Sequence, residues 1–366
     1  MFTYGQPVKM LLRIPTNQLP VVRLLSRGNI CHRRVQRQCV LSVRRLVTHS
    51  DHEQYYTLPV SFQTRTPGER MTIDVGVRDV HPVNMTPSTP LVVTAHGVPG
   101  SSQDFDAIGR QLAGHGVRVV GLDFPGFGKS RLLGQDVYRL DHSTEGKSHM
   151  LITILDALAI SRVDVLIGHS AGTWLNYKAA ADLHLVKSSV LLNPLGKRHH
   201  RTLRPFILVK LLGGLMRNPV FHSILYKCLP FIYKVLGFVL EEDTFPSLPI
   251  AVESVRYSNF DKMQAYAETA AAKKHPFVMA ITRNDKIGEW NFAVEMAQHL
   301  EIEEGEITEF SNNNMTVGDN VGKYDDSCYR RVLLFERGGH LVHRAHEKEV
   351  VKHILQLLKV VSSHDS

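Results

Sequence analysis

The stretch "RVDVLIGHSAGTWLNYKAAADL", residues 162–183, decides the fold. Its first part is apolar and β-branched up to Gly168, and its second part carries apolar and alanine positions at helical spacing. Between them a single hydroxyl, Ser170, is set between Gly168 and Gly172. A strand that becomes a helix this abruptly needs residues without bulk where the backbone folds back on itself. It also aims the free N–H groups and positive dipole end of the new helix at the hydroxyl. Gly168-His169-Ser170-Ala171-Gly172 fits G-x-S-x-G, and the pattern has the context its chemistry demands, a strand before and a helix after. A connecting loop would accept other small polar residues; a nucleophile needs this shape. Ser170 is therefore read as a nucleophile.

Working outward, eight strand-like runs are expected: residues 55–64, 70–77, 90–97, 117–124, 163–168, 188–194, 275–281 and 330–337. Helical patterns alternate with them at 102–115, 144–160, after Ser170, at 289–300, and in a last helix reaching about residue 360. Short apolar runs bounded by glycine or proline, alternating with longer periodic segments, predict an α/β protein: a mostly parallel eight-stranded sheet covered on both faces. Two insertions interrupt the alternation. Residues 196–272, after the sixth strand, read as a cap of short helices, and residues 303–328 read as a polar, exposed and mobile loop. The expected organisation is a leading segment 1–50, a core in two parts (51–195 and 273–366), and the cap between them.

The net charge of +8 is concentrated at one end. Residues 1–50 contain Lys9 and eight arginines but no acid, which leaves 34 basic against 35 acidic residues elsewhere. On a helical wheel Val35, Cys39, Val43, Leu46 and Val47 oppose Arg33, Arg34, Arg37, Arg44 and Arg45. An Arg-rich, acid-free, amphipathic segment is the pattern of a mitochondrial presequence; a basic tail or a helix lying on anionic lipid is the alternative. With the charge confined there, no nucleic-acid partner is expected. A second basic region lies in the cap, where residues 183–240 hold nine basic residues and no acid. Lys227, Pro230 and Lys234 argue against a membrane span there, so the choice is between a buried helical subdomain and a peripheral membrane contact. The four cysteines, Cys31, Cys39, Cys228 and Cys328, form neither a disulfide framework nor a zinc spacing, and no cofactor motif is present.

His96-Gly97-Val98-Pro99-Gly100 follows the third strand. Its reading is a second oxyanion donor, the N–H of Val98 joining that of Ala171 around a developing negative oxygen. Residues 123–130, "DFPGFGKS", end like a phosphate loop, but Asp123 stands where that motif requires glycine. The segment reads as a structural loop at the mouth of the cleft.

Taken in order, HGxPG, D-x-P-G-x-G-x-S, GHSAG and the late Gly338-Gly339-His340 resemble the α/β-hydrolase superfamily over roughly residues 55–195 and 273–361. The chain is also loosely similar to an uncharacterised group of animal hydrolase-like proteins. The resemblance implies a chain order of nucleophile, acid and histidine. Asp285, after the penultimate strand, takes the acid position; Asn193 stands at the alternative one. His340 takes the histidine position, 55 residues beyond Asp285 because of the polar insertion. Ser170 would then attack, His340 would accept and return its proton, and Asp285 would hold the imidazole tautomer. His343 and His346 raise the question of a metal cluster, but successive three-residue steps on a helix rotate the third ligand away and no acid falls at a ligand spacing. The expected function is a metal-free, cofactor-free serine hydrolase acting on a small-molecule or lipid ester, thioester or amide. Phe206, Ile207, Leu211, Leu212, Phe221, Phe231 and Phe238 in the cap favour a lipophilic acyl group. The alternative is a catalytically silent relative that binds a lipid or protein partner.

Overall fold

The structure, a computed structural model, describes residues 44–50, 52–311, 314–316 and 329–363. Its strands are β1 (Arg44–Ser50), β2 (Glu53–Gln63), β3 (Arg70–Val80), β4 (Leu91–Ala95), β5 (Arg118–Leu122), β6 (Val165–His169), β7 (Ser189–Leu192), β8 (Phe277–Thr282), β9 (Ile307–Ser311), β10 (Asn314–Thr316) and β11 (Arg330–Phe335). They form one sheet in the order β1-β2-β3-β5-β4-β6-β7-β8-β11-β9-β10. From β5 to β9 in that order neighbours run parallel, and antiparallel strands finish both edges.

The helices are α1 (Asp106–Gly114), α2 (Thr144–Ala157), α3 (Thr173–Asp182), α4 (Phe206–Met216), α5 (Pro219–Val235), α6 (Leu248–Arg256), α7 (Met263–Ala272), α8 (Trp290–His299), α9 (Val342–Ala345) and α10 (Glu347–Ser363). Because strand side chains alternate, Val165 and Ile167 of β6 pack with α1 and α10 on one face. Leu166 joins the opposite core with α2, and Leu191 and Met279 pack there beside α3, α7 and α8. A strand buried on both faces must be apolar throughout, which is why "VLIGH" shows no polar alternation. Each fully buried Leu, Ile or Val of this kind contributes about 1.5–3 kcal/mol relative to exposure.

The eight expected strands are β2 to β8 and β11; among the described residues the sheet has eleven because three more extend its edges. β1 lies within the segment read as presequence-like. Its backbone pairs antiparallel with β2, from Arg44 opposite Thr57 to Ser50 opposite Glu53. Around Leu46 and Val47 an open strand edge thus overrides the helical spacing, and the core begins before residue 51. The remainder of that segment, residues 1–43, lies outside the described residues.

The second correction concerns the polar insertion. Its start is not a loop: β9 pairs parallel with β11 and antiparallel with β10. Ile307 and Phe310 are buried while Glu309 and Ser311 face outward, and Phe310 stacks on Phe335 with centroids 4.5 Å apart. The polar composition is that of a strand near the sheet's edge whose alternate side chains face outward. Residues 312–313 and 317–328 lie outside the described residues.

The third concerns the helical insert. α7 buries Met263, Ala267 and Ala270 in the same core as Trp174 and Tyr177 of α3. It belongs to the layer flanking the sheet, so the insert that departs from that layer ends near Arg256, earlier than residue 272.

Candidate active site

β6 runs into α3 through Ser170, whose φ of 52° lies in the left-handed region that side chains avoid. The two flanking glycines are required by contact. A Cβ on Gly168 would stand 1.9 Å from Asn176 Oδ1, and one on Gly172 would stand 2.3 Å from the carbonyl oxygen of Ala95. Thr173 Oγ1 donates to the Ser170 carbonyl at 2.5 Å and closes the turn.

The loops after β6, β8 and β11 meet at the carboxyl end of the sheet, where open α/β sheets place their ligands. Ser170 Oγ lies 2.9 Å from His340 Nε2, and His340 Nδ1 lies 2.8 Å from Asp285 Oδ2. The other carboxylate oxygen of Asp285 accepts the N–H groups of Ile287 at 2.8 Å and Gly288 at 3.1 Å. A carboxylate only accepts, so it fixes the proton on Nδ1 and leaves Nε2 free to accept from the serine hydroxyl. Ser170 and Asp285 are buried, and the His340 side chain is 16% exposed. Ser170, Asp285 and His340 are thus brought together.

Val98 and Ala171 line one cavity with Ser170. The loop bearing Val98 is held by buried His96, whose Nδ1 donates to the Gly97 carbonyl at 2.7 Å while Nε2 accepts the Phe124 N–H at 3.1 Å. That arrangement is the neutral imidazole, and burial lowers the His96 pKa accordingly. A Cβ on Gly97 would sit 3.1 Å from the Ser170 Cβ, a tight contact that a glycine avoids.

Asp123 organises the "DFPGFGKS" loop beneath. Its carboxylate accepts the N–H groups of Ser102 and Lys129, both at 2.8 Å, and the Tyr55 hydroxyl at 2.5 Å.

Sequence reasoning missed how the His340 loop is held. Asn193, seen only as an unfilled acid position, donates from Nδ2 to the carbonyls of Gly339 and His340. His169 Nε2 donates to the same His340 carbonyl at 2.9 Å, and Thr282 Oγ1 donates to Gly339 at 2.6 Å. Burial and the neighbouring imidazoles of His343 and His340 keep His169 well below its ordinary pKa, hence neutral. Only the alternative-acid position of Asn193 carried a signal of this clamp; His169 had none. The three late histidines go to separate partners. His343 donates to the Asp104 carbonyl and stacks on Phe105, while His346 bonds the Arg337 carbonyl and stacks on Phe335.

The cavity over Ser170 opens to solvent, and with its open mouth included the space comes to about 710 Å³. Val209 and Leu212 of α4, Ile232 and Tyr233 of α5, and Val252 and Val255 of α6 supply much of its wall. His200 also lines it, with Nδ1 accepting the Glu289 N–H at 2.8 Å. An apolar concave lining with a few convergent polar groups is that of a small-molecule site. A hydroxyl against an imidazole backed by a carboxylate, under such a roof, is an arrangement capable of nucleophilic acyl transfer.

Comparison with known proteins gives the same frame. Solved structures share the fold at low identity. A haloalkane dehalogenase from Bradyrhizobium elkani has a TM-score of 0.57 at 14% identity, covering 85% of this chain and 99% of that one. A thermophilic esterase from Thermogutta terrifontis has a TM-score of 0.54 at 15% identity, covering 83% and 98%. A Mycobacterium phage D29 protein bearing a non-heme haloperoxidase name is 31% identical over 115 residues, 31% of this chain and 39% of that relative's length. Over residues 55–358 the sequence matches the family described as alpha/beta hydrolase of unknown function, DUF1057, and the chain belongs to that family.

Proposed function

We propose that the protein is a serine hydrolase that cleaves an ester, thioester or amide of a lipophilic acyl group through an acyl-enzyme on Ser170. The observation that carries this reading is the pair of contacts joining Ser170 to His340 and His340 to Asp285, at 2.9 and 2.8 Å. His340 takes the serine proton as Oγ attacks the carbonyl carbon, then gives it to the leaving group. Water repeats the exchange and releases the acid. Val98 and Ala171 supply N–H groups to the oxyanion, and Asp285 stabilises the imidazolium. The superfamily's dehalogenation and epoxide hydrolysis need a carboxylate at the elbow, where this chain has a hydroxyl. The apolar cavity supports an acyl chain longer than acetyl.

The test is active-site labelling. A fluorophosphonate probe should label the wild-type chain, and Ser170→Ala should abolish labelling and lower turnover by about 10⁶-fold. Labelling that persists in Ser170→Ala would end this reading, and a wild-type chain that is not labelled would favour a silent binding protein. The acid-free basic segment at residues 1–50 supports delivery to mitochondria, tested by import of a fluorescent fusion with and without those residues.

A further inference from the structure

Fourteen large hydrophobic residues are conspicuously exposed among the described residues, and eleven of them lie between Ile207 and Val239. They are not scattered around their helices. On α4, Ile207, Leu211 and Leu215 recur at four-residue steps; on α5, Val220, Ile224, Phe231 and Val235 fall within one narrow arc at the helical period. Val220, Phe231 and Val235 are 68%, 69% and 70% exposed. The opposite sides of the same helices, through Val209, Leu212, Ile232 and Tyr233, wall the cavity over Ser170. These two helices therefore present apolar surface both inward and outward, which ordinary surface helices do not. Isolated apolar residues on a surface need no explanation, but a contiguous patch does.

Along the two helices themselves the charge has one sign. Neither α4 nor α5 contains an acidic residue, and exposed Lys210, Lys227 and Lys234 sit on or beside the apolar arcs. Acidic residues resume only at Glu241, beyond both helices.

We propose that the outer face of α4 and α5 docks the protein on an anionic lipid bilayer, with the apolar side chains in the interface and the three lysines among the headgroups. A lysine on an apolar stripe is suited to this, since its stem lies along hydrocarbon while its ammonium meets a phosphate. Like charge disfavours the competing occupants. A second copy placed face to face would oppose its own three lysines. The segment 1–50 of the same chain is also cationic and acid-free. No described helix is long and apolar enough to cross a membrane, so the contact lies in the plane of the interface. Docking brings the roof of the cavity against the acyl layer. That the guest entering there is a substrate rests on the function proposed above; the docking itself does not.

Flotation of the full-length chain with phosphatidylcholine vesicles, with and without phosphatidylglycerol, tests this. The wild-type chain should float with vesicles containing phosphatidylglycerol. Combined Leu211→Ser, Ile224→Ser and Phe231→Ser should lower that partition by at least about tenfold. Combined Lys210→Glu, Lys227→Glu and Lys234→Glu should remove the preference for phosphatidylglycerol. None of these six residues lines the cavity, so thermal unfolding and turnover of a water-soluble ester should stay unchanged in both variants. A wild-type chain that stays with the solvent overturns the proposal. Variants that float as well as wild type overturn it too, because segment 1–50 then does the binding. So does a wild-type dimer in sedimentation velocity that the apolar variant dissolves, which assigns the face to a second copy. Ser170→Ala should float normally; if it does while no ester is turned over by wild type, docking stands and the proposed reaction fails.

Discussion

Asn193 donates from Nδ2 to the carbonyl oxygen of His340 at 2.8 Å and to that of Gly339 at 2.9 Å, while its Oδ1 accepts the Thr282 N–H at 2.8 Å. One side chain at the end of β7 therefore ties the end of β8 to the loop that carries the imidazole. Its φ of 41° is the positive value that Asn tolerates better than most residues. Asn193→Ala removes one of two donors from each of these carbonyls and leaves the buried Thr282 N–H without its acceptor, costing about 1–3 kcal/mol of stability. It also lets the imidazole drift, which should lower kcat by up to about 100-fold with KM much less affected. Asn193→Asp keeps the acceptor for Thr282 but loses both donations, so it should not restore kcat. Equal kcat in Asn193→Ala and wild type would show that the clamp has no role in positioning.

Much of this was legible in the sequence because steric demands leave marks on residue type. Gly168, Ser170 and Gly172 announce a tight turn, and the apolar runs of β4 to β8 announce burial on both faces. Asp285 and His340 were reachable through chain order at the strand ends. What was not legible depended on partners distant in sequence. The spacing of Leu46 and Val47 says helix, yet the open edge of β2 makes Arg44–Ser50 a strand. The polar residues of β9 say loop, yet Phe310 finds Phe335. Alanine-rich α7 resembles its cap neighbours in composition and is separated from them only by its packing on α3. Asn193 and His169 act on backbone carbonyls, which no motif records.

Gly172 can accept no side chain. Its Cβ would press on the carbonyl oxygens of Ala95 at 2.3 Å and His96 at 2.8 Å, and Ala95 is fixed by pairing in β4. Gly172→Ala should therefore destabilise by at least about 1–3 kcal/mol and suppress labelling of Ser170. Gly114 at the end of α1 is the control, because a Cβ there meets nothing within 4 Å. Gly114→Ala should be neutral or stabilise by up to about 1 kcal/mol. Urea midpoints for the two variants make the comparison, and similar midpoints would contradict the elbow geometry.

Acid should unfold the protein before its carboxylates are protonated. Burial pushes His142 down to about 3 and His200 and His343 down to about 4, from an ordinary 6.5. Above about pH 6.5 these imidazoles are neutral in both folded and unfolded chains, and their full contribution to stability is present. As pH falls below 6.5 the unfolded chain takes up protons that the folded chain refuses until near pH 4 or 3. Stability is lost through that window, by up to about 4 kcal/mol per pH unit when all three titrate together. Urea midpoints between pH 7.5 and pH 4.5 measure the slope as an order-of-magnitude check. His343→Gln should reduce it by about one proton's worth, and a flat profile would mean these groups are solvated.

The cavity sets the acyl preference. Each methylene that moves from water into its apolar lining contributes about 0.8 kcal/mol, close to fourfold in kcat/KM if the chain is held equally in the transition state. Across p-nitrophenyl esters from acetate upward, kcat/KM should rise by about that factor per methylene and level off once the apolar lining is covered. Leu212 lines the cavity from α4, so Leu212→Trp should move the plateau to a shorter chain and leave acetate turnover nearly unchanged. The two measurements constrain each other. A rise that Leu212→Trp fails to shorten would place the acyl chain outside this cavity, and a wild-type preference for acetate would exclude a lipophilic acyl group altogether.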